Sequence, residues 1–402
     1  MARHGRGRRA RPRGGRRAPR APRALARPGG RVGPVKLRLV TALREFDALA
    51  PIWAEVAREA GQTSPFLSHD WFACCWRTAG PLKRREVWLL EDAAGPVALL
   101  PLAYGRSTIR GIPVRVLSFL DAPDTPLADF LVTRGHDEVV AALAEALRAR
   151  RDWDLLRLAK LPAEGATAKA LQAGLGADFP GRLVARESSP YLALDGTWEQ
   201  FFRSRSQRFR KTCRNIENRI HRRGALDVEE HRWVDPDGPI FRDLIEVSLA
   251  SWKAEQGVAL ATMDGMPRFF RELTQRASAQ GWLRLWILRL EGRAVATEYQ
   301  LAAGDTVHAL RADYDAALAE VSPGAYLNLE IVRRLFAAPG VRVYDMGPGA
   351  NEYKLRWASG ARELVTLAFY APTLAGRLLR GLETRLVPLA RRWRDRLRRV
   401  AA

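Results

Sequence analysis

The residues best suited to chemistry lie between Glu298 and Lys354. Ser322-Pro323-Gly324 reads as a helix start, because serine is a good N-cap and proline fits the first helical position. The backbone N–H groups of Gly324, Ala325 and Tyr326 would then point outward at the positive end of the helix dipole. Glycine adds no side chain, so a phosphate or pyrophosphate can approach the backbone closely. Taken alone, the tripeptide reads as readily as an ordinary capped surface helix. Asp345 ends a strand just before the turn Gly347-Pro348-Gly349, and sites in α/β folds gather at strand C-termini. It is placed either to orient or deprotonate a substrate or to cap the turn. Glu298 sits in the apolar strand segment ATEYQL. A carboxylate buried there without a partner is costly, so it faces solvent or lines a pocket. Tyr353 and Lys354 follow in a short helix capped by Asn351, and Lys354 can meet a phosphate or an acid. Arg311 and Asp313 share a strand face and can pair.

These residues need elements to carry them. The pattern predicts a strand over Val307–Tyr314, a helix from Ser322, a strand over Val341–Met346 and the short Tyr353 helix. Upstream, VWLLEDAAGPVALLPL and LWILRLEGRAVATEYQL each read as a β-hairpin, roughly half a chain apart. Trp153–Leu161 and Val341–Met346 are strands that each follow a helix, at similar distances beyond those hairpins. Two tandem copies of one α/β unit, each a mixed sheet flanked by helices, explain the repeat. One long helix is expected from Thr197 to Arg223, with an apolar face through Phe202, Phe209, Cys213, Ile216 and Ile220 and a basic face opposite. The division expected is a unit over 36–185, a second over 186–370, and distinct segments at 1–31 and 371–402.

Those two ends hold most of the net charge of +22. The first 31 residues carry twelve arginines and no acid, and residues 371–402 carry nine arginines against two acids. The body between is nearly neutral, which argues against a fold built to bind nucleic acid. The first arm is predicted to be disordered. The last segment reads as a basic amphipathic helix over residues 374–400 with a kink at Pro388. It suits an anionic membrane surface, or else docking on the body or a partner subunit. No apolar run reaches transmembrane length and no secretory h-region follows the arm, so a cytoplasmic location, peripheral at the inner membrane face, is expected. Cys74, Cys75 and Cys213 make neither a disulfide framework nor a zinc spacing, and no metal is expected.

The blocks SRSQRFRKTCRNIENRIHRRG, LRLEGRAVATEYQL, RADYDAALAEVSPGAYLNLEIVRRL and DMGPGANEYKLRW together carry a family pattern. They resemble the acetyltransferase domain of CelD-like proteins, a branch of the GNAT superfamily related to FemAB-type transferases. The resemblance spans about residues 36–370 and implies two GNAT-like units using an acyl-CoA, with acetyl-CoA first. The acceptor it implies is an amino sugar, a polysaccharide precursor or an amino acid, acylated on nitrogen or oxygen. Ser322, Gly324, Ala325, Tyr326 and Lys354 would bind the donor. Asp345 and Glu298 would serve the acceptor, and Tyr353 would protonate the departing thiolate. The chain departs from the family's Gln/Arg-x-x-Gly-x-Gly/Ala loop, keeping only Gly324 there. Two other readings stand beside this one: a FemAB-type enzyme using aminoacyl-tRNA on a cell-wall precursor, and a non-catalytic accessory protein of envelope polysaccharide synthesis.

Overall fold

The computed structural model describes residues 35–80 and 83–386. The chain begins with strand β1 (Lys36–Val40) and helices α1 (Leu43–Ala48), α2 (Ala50–Glu59) and α3 (His69–Thr78). A meander follows, β2 (Arg84–Asp92), β3 (Gly95–Ile109), β4 (Ile112–Phe119), then β5 (Leu131–Val132), α4 (His136–Ala149) and β6 (Leu155–Pro162). Short helices α5 (Ala166–Ala170) and α6 (Gly176–Asp178) lead into the long strand β7 (Gly181–Ala193). The second half runs α7 (Trp198–Ser204), α8 (Gln207–His221), β8 (Leu226–His231), α9 (Pro239–Ala250), α10 (Trp252–Glu255) and α11 (Met266–Ala279). It continues through β9 (Leu283–Leu290), β10 (Arg293–Ala303), β11 (Thr306–Tyr314), α12 (Pro323–Phe336), β12 (Val343–Asp345), α13 (Glu352–Trp357), β13 (Gly360–Tyr370) and α14 (Leu374–Gly381).

The two predicted hairpins are β2–β3 and β9–β10. Each half also has a parallel pair joined through a helix: β4 with β6, and β11 with β12. The repeat read from the sequence therefore extends to topology. The thirteen strands of the described residues form one sheet, in the order β1-β2-β3-β4-β6-β13-β7-β12-β11-β10-β9-β8, with β5 beside β3. The halves exchange their last strands. β7 sits beside β12 of the second half, and β13 pairs with both β7 and β6 of the first. The boundary expected at residue 185 falls inside β7.

One core is common to both halves. Trp53, Trp71 and Phe72 of the first pack with Phe241, Phe269 and Leu273 of the second. The second half has its own core beneath α12, including Trp286, Leu329, Ile331 and Tyr344. The single helix expected over 197–223 is two. Ser206 accepts from the Phe209 N–H and starts α8, while α7 has its own capping box through Thr197 and Gln200. A serine that can cap competes with helix continuation, and here the cap wins. Ser251, in extended backbone, separates α9 from α10.

The segment beyond Tyr370 docks on the body as far as Glu383. Leu379 is fully buried against Val114, Leu155 and Tyr370. Thr373 Oγ1 donates to Asp154 at 2.7 Å, and Arg182 pairs with Glu383. The expected Arg-rich arm and the remainder of the basic amphipathic helix, residues 387–402, lie outside the described residues. A chain ending at Tyr370 should melt lower, because burying Leu379 alone is worth about 1.5–3 kcal/mol. A thermal melt of the two forms checks this.

Candidate active site

The site follows from how β11 leaves β12. Their parallel pairing ends at His308 with Asp345. Beyond it, β11 continues to Tyr314, while the chain after β12 turns away through Gly347. Gly347 has φ +71°, and an added Cβ there would lie 3.3 Å from the Ala309 carbonyl. Only glycine turns so tightly under the neighbouring strand. The edge of β11 from Ala309 onward is thereby opened. On its other edge, a register shift against β10 leaves Leu310 as a bulge. Bulges bend a strand and re-aim its side chains, and they are common beside active sites.

A cavity of about 730 Å³ fills this opening. One wall is β11 from Ala309 to Tyr314, and the mouth is the start of α12, at Ser322, Gly324 and Ala325. Glu298, Tyr344 and Asn328 lie on the floor, Tyr353 and Lys354 of α13 on the far side, and Pro123 and Asp124 of the first half close the rim.

Pro323 takes the first position of α12, as read from the sequence. Ser322 does not cap it. Its backbone is left-handed, at φ 58°, and its hydroxyl makes no cap bond. In that conformation the side chain swings away from the first-turn N–H groups, so they are left open. Tyr326 is also reassigned. Its N–H donates to the Ser322 carbonyl at 3.1 Å, and its ring packs in the core with the hydroxyl 3.4 Å from His221. Among the described residues, the N–H groups free at the helix mouth are those of Gly324 and Ala325. They are the part of the motif that can hold a phosphate. Gly324 has a second role: a Cβ there would lie 3.1 Å from the ring of Tyr314, so the residue also lets α12 close on β11.

Glu298 lies on the cavity floor and is only 4 % exposed. Its Oε1 accepts from the Tyr344 hydroxyl and from Gln300 Nε2 at 2.7 Å, and Gln300 is itself fixed by the Trp286 indole at 2.9 Å. Burial pushes its carboxyl above the usual range, against the opposing effect of those donors and of Lys354. A carboxylate of raised basicity, held by one oxygen, is a competent general base.

Asp345 is placed elsewhere. It is absent from the cavity lining, and its carboxylate takes Arg362 at 2.7 Å, the Gly347 N–H at 2.9 Å and His308 at 3.7 Å. Burial raises its pKa, but His308, the Gly347 N–H and Arg362 outweigh that and hold it below the usual range. It therefore fastens the turn, the second of the roles its position allowed. A depressed folded-state pKa adds stability above the unfolded value, lost as pH falls through the folded one. Asp345→Asn should cost about 1–3 kcal/mol at neutral pH and less in acid, while turnover falls less than tenfold. Denaturant unfolding at two pH values and steady-state rates check both parts.

Tyr353 lines the far wall. The residue is 40 % exposed, yet the protein packed around its phenol pushes the pKa well up, which keeps it a proton donor. Lys354 is tied to the carbonyls of Gly347 at 3.1 Å and Pro348 at 2.7 Å, and burial lowers its pKa. Arg311 and Asp313 do pair, at 2.8 Å, and Asp313 also takes Lys253 while Arg311 takes Asp124 at 3.1 Å. Lys253 Nζ also donates to the Ala312 carbonyl at 2.7 Å. In a strand, a residue's N–H and C=O point to the same edge, so the Ala312 N–H also faces the opening. It is a candidate oxyanion donor on β11.

Sequence reasoning passed over Asn328, Tyr344, Thr297, Lys253 and Asp124. Asn328 had a signal, since it interrupts the apolar run Leu327, Leu329, Ile331 on a helix face that should be core. The others reach the site through tertiary packing alone. Among the described residues no cluster of His, Cys, Asp and Glu has the arrangement of a metal site. All three cysteines are buried and free.

A family model described as "Acetyltransferase (GNAT) domain" matches residues 207–355. Among solved structures, the chain is similar to a conserved protein of unknown function from Bacteroides thetaiotaomicron VPI-5482. The TM-score is 0.54 at 14 % identity, covering 84 % of this chain and all of that one. FemX is similar too, with TM-score 0.53 at 12 % identity over 82 % of this chain and 97 % of that one. At such identities the similarity establishes the fold. No curated protein sequence matches the chain. The matched segment contains Glu298, the α12 mouth and Tyr353 together, and over it the chain is similar to GNAT acetyltransferases.

Proposed function

We propose that the protein moves an acyl group, acetyl in the first instance, from coenzyme A to an amine or hydroxyl of an amino sugar, a polysaccharide precursor or an amino acid. The observation that carries this reading is one cavity with the free N–H groups of Gly324 and Ala325 at its mouth and the buried Glu298 carboxylate on its floor. The pyrophosphate would meet the helix mouth, with the pantetheine arm lying along the open edge of β11. This edge supplies backbone groups in place of a missing strand. Glu298 takes the acceptor's proton as the acceptor attacks the thioester carbonyl. The Ala312 N–H meets the oxyanion, and Tyr353 returns a proton to the leaving thiolate. No covalent nucleophile is needed, and the buried cysteines offer none. The sequence blocks resemble the CelD-like branch, which is the basis for placing the acceptor in polysaccharide or envelope metabolism.

Calorimetric titration with acetyl-CoA tests the donor. One-site binding is expected, and an absence of binding heat at several temperatures would sink the reading. A second reading, aminoacyl-tRNA as donor, draws support from α8. Arg208, Lys211, Arg214 and Arg222 are exposed there and form no ion pair among the described residues. It predicts tRNA binding that weakens steeply with salt. Among the described residues no helix is long and apolar enough to cross a membrane. Contact with an anionic membrane surface through residues 374–400 remains part of the proposal, with the docked stretch up to Glu383 acting as its base.

A further inference from the structure

Beyond His308, β11 has no β12 on one edge, so its side chains must help to hold it. Arg311 is 7 % exposed, and its guanidinium gathers four partners. Nε donates to Asp313 at 2.8 Å, and Nη2 donates to the Val258 carbonyl at 2.7 Å and to Ser248 Oγ at 3.4 Å. Nη1 donates to Asp124 Oδ2 at 3.1 Å. Asp313 also takes Lys253, whose Nζ holds the Ala312 carbonyl. The residues on either side of Ala312 are thus the ones held, and the Ala312 N–H is the candidate oxyanion donor.

Three of the partners of Arg311 belong to the second half, and Asp124 comes from the first. Asp124 is not a loose surface acid. It is the third residue of a tight turn, Ala122–Thr125. The Thr125 N–H closes that turn on the Ala122 carbonyl at 3.0 Å, and the Ala122 N–H closes it again on Thr125 Oγ1 at 2.9 Å. Thr125 is buried, and its carbonyl accepts from Lys160 of β6. A turn fixed in this way delivers its carboxylate with little ordering left to do. Charge points the same way. Arg311 and Lys253 bring two positive charges to the cluster, and Asp313 and Asp124 bring two negative ones. Without Asp124 the cluster keeps an unmatched positive charge around a buried guanidinium, which a low-dielectric site tolerates badly.

We propose that Asp124 of the first half is a positioning residue for acyl transfer, holding Arg311 and through it the Ala312 N–H on the open edge of β11. The inference rests on the acyltransferase reading and adds the first half to the machinery of that site. Loss of the Asp124 charge frees one end of Arg311, loosens β11 around Ala312 and misaligns the N–H with the thioester carbonyl. The donor's phosphates, meeting the backbone at Gly324 and Ala325, are untouched.

The test uses the full chain, acetyl-CoA labelled with the heavy carbon isotope at its thioester carbonyl, and two variants. Asp124→Asn keeps the shape and removes the charge, and Asp124→Glu keeps the charge. Isotope-edited infrared spectroscopy reads the carbonyl stretch, which falls in frequency when an N–H donates to the oxygen. The parent's bound band is expected below that of free acetyl-CoA. Asp124→Asn should lose about half of that shift or more, and Asp124→Glu should recover part of it. Hydrogen exchange of β11 peptides, read by mass spectrometry, should run about tenfold faster in Asp124→Asn, with β9 peptides unchanged. Acetyl-CoA affinity should stay within about threefold, because the helix mouth is intact. Melting temperatures within a few degrees of the parent show that the variants fold. A purely local role loosens the Ala122–Thr125 turn alone. Faster exchange confined to that turn, a parent-like band in Asp124→Asn, equal bands in the two variants, or a bound parent band at the free frequency each overturn the proposal. Absent acetyl-CoA binding in the parent overturns the donor reading instead, and the exchange measurement still reads the hold of Asp124 on β11.

Discussion

Glu298→Gln is expected to lower acyl transfer by roughly a hundred- to ten-thousandfold, the range that a lost general base gives. The substitution keeps the shape of the side chain and an oxygen for Tyr344 and Gln300, so the network of Trp286, Gln300 and Tyr344 survives. What is lost is the charge that accepts the proton. Burial raises the Glu298 pKa, and the base works only when ionised. The parent's kcat/KM should therefore rise with pH through that raised pKa, and the acid limb should vanish in the variant. Stability should move the other way. A group whose folded pKa is raised contributes stability below its unfolded value and loses it as pH rises through the folded one. The parent thus keeps an ionised carboxylate in a buried floor at neutral pH, and the glutamine removes that burden. Glu298→Gln should melt higher than the parent near pH 8 and no higher near pH 4. A strained or desolvated catalytic group commonly shows this opposition. A variant with near-parent turnover and an unchanged pH profile would return Glu298 to a purely structural role.

Much of this site was legible before the fold was known, because its parts are local. Ser322-Pro323-Gly324 fixes where α12 starts through proline's missing donor and glycine's small size. Glu298 stands out because a carboxylate in an apolar strand needs a reason. The two hairpins announce themselves through alternation and Gly turns. The losses have physical causes as well. Ser322 is a capping residue type, but a left-handed backbone takes its hydroxyl out of range. Asp345 sits at a strand end as sites do, yet Arg362 and the Gly347 N–H claim its oxygens, and both arrive by tertiary packing. The exchange of β7 and β13 between the halves could not be read at all. A strand's alternation tells which face is buried, not which neighbour it pairs with. That exchange matters for function, because β7 flanks β12 and β13 fixes β7. The second half's active-site strand therefore rests on chain that bridges both units. Pro123 and Asp124 reach the cavity rim from the first unit, so neither half holds the full lining.

The second large effect is expected at the helix mouth. Gly324→Glu should weaken acetyl-CoA binding on the order of a thousandfold. The argument is electrostatic first. A carboxylate about 4 Å from a phosphate repels it by about 4 kcal/mol at an effective dielectric near 20. It also opposes the positive end of α12, whose free Gly324 and Ala325 N–H groups are the attraction. A steric effect is superimposed, because a Cβ at 324 lies 3.1 Å from Tyr314 and the ring must give by a few tenths of an ångström. Gly324→Ala isolates that part. It carries the same Cβ and no charge, so it should cost much less affinity, about tenfold or below. Gly324→Gln matches the glutamate in size and separates bulk from charge. If the phosphates meet this mouth, affinity should fall in the order Gly, Ala, Gln, Glu, and the Gln–Glu gap should shrink in high salt as the charges are screened. The melting temperature should be no lower in Glu than in Gln, since both make the same contact with Tyr314 and the carboxylate suits the positive end of α12. Equal affinity in those two variants would place the donor's phosphates away from α12, and with them the direction in which the thioester enters the cavity.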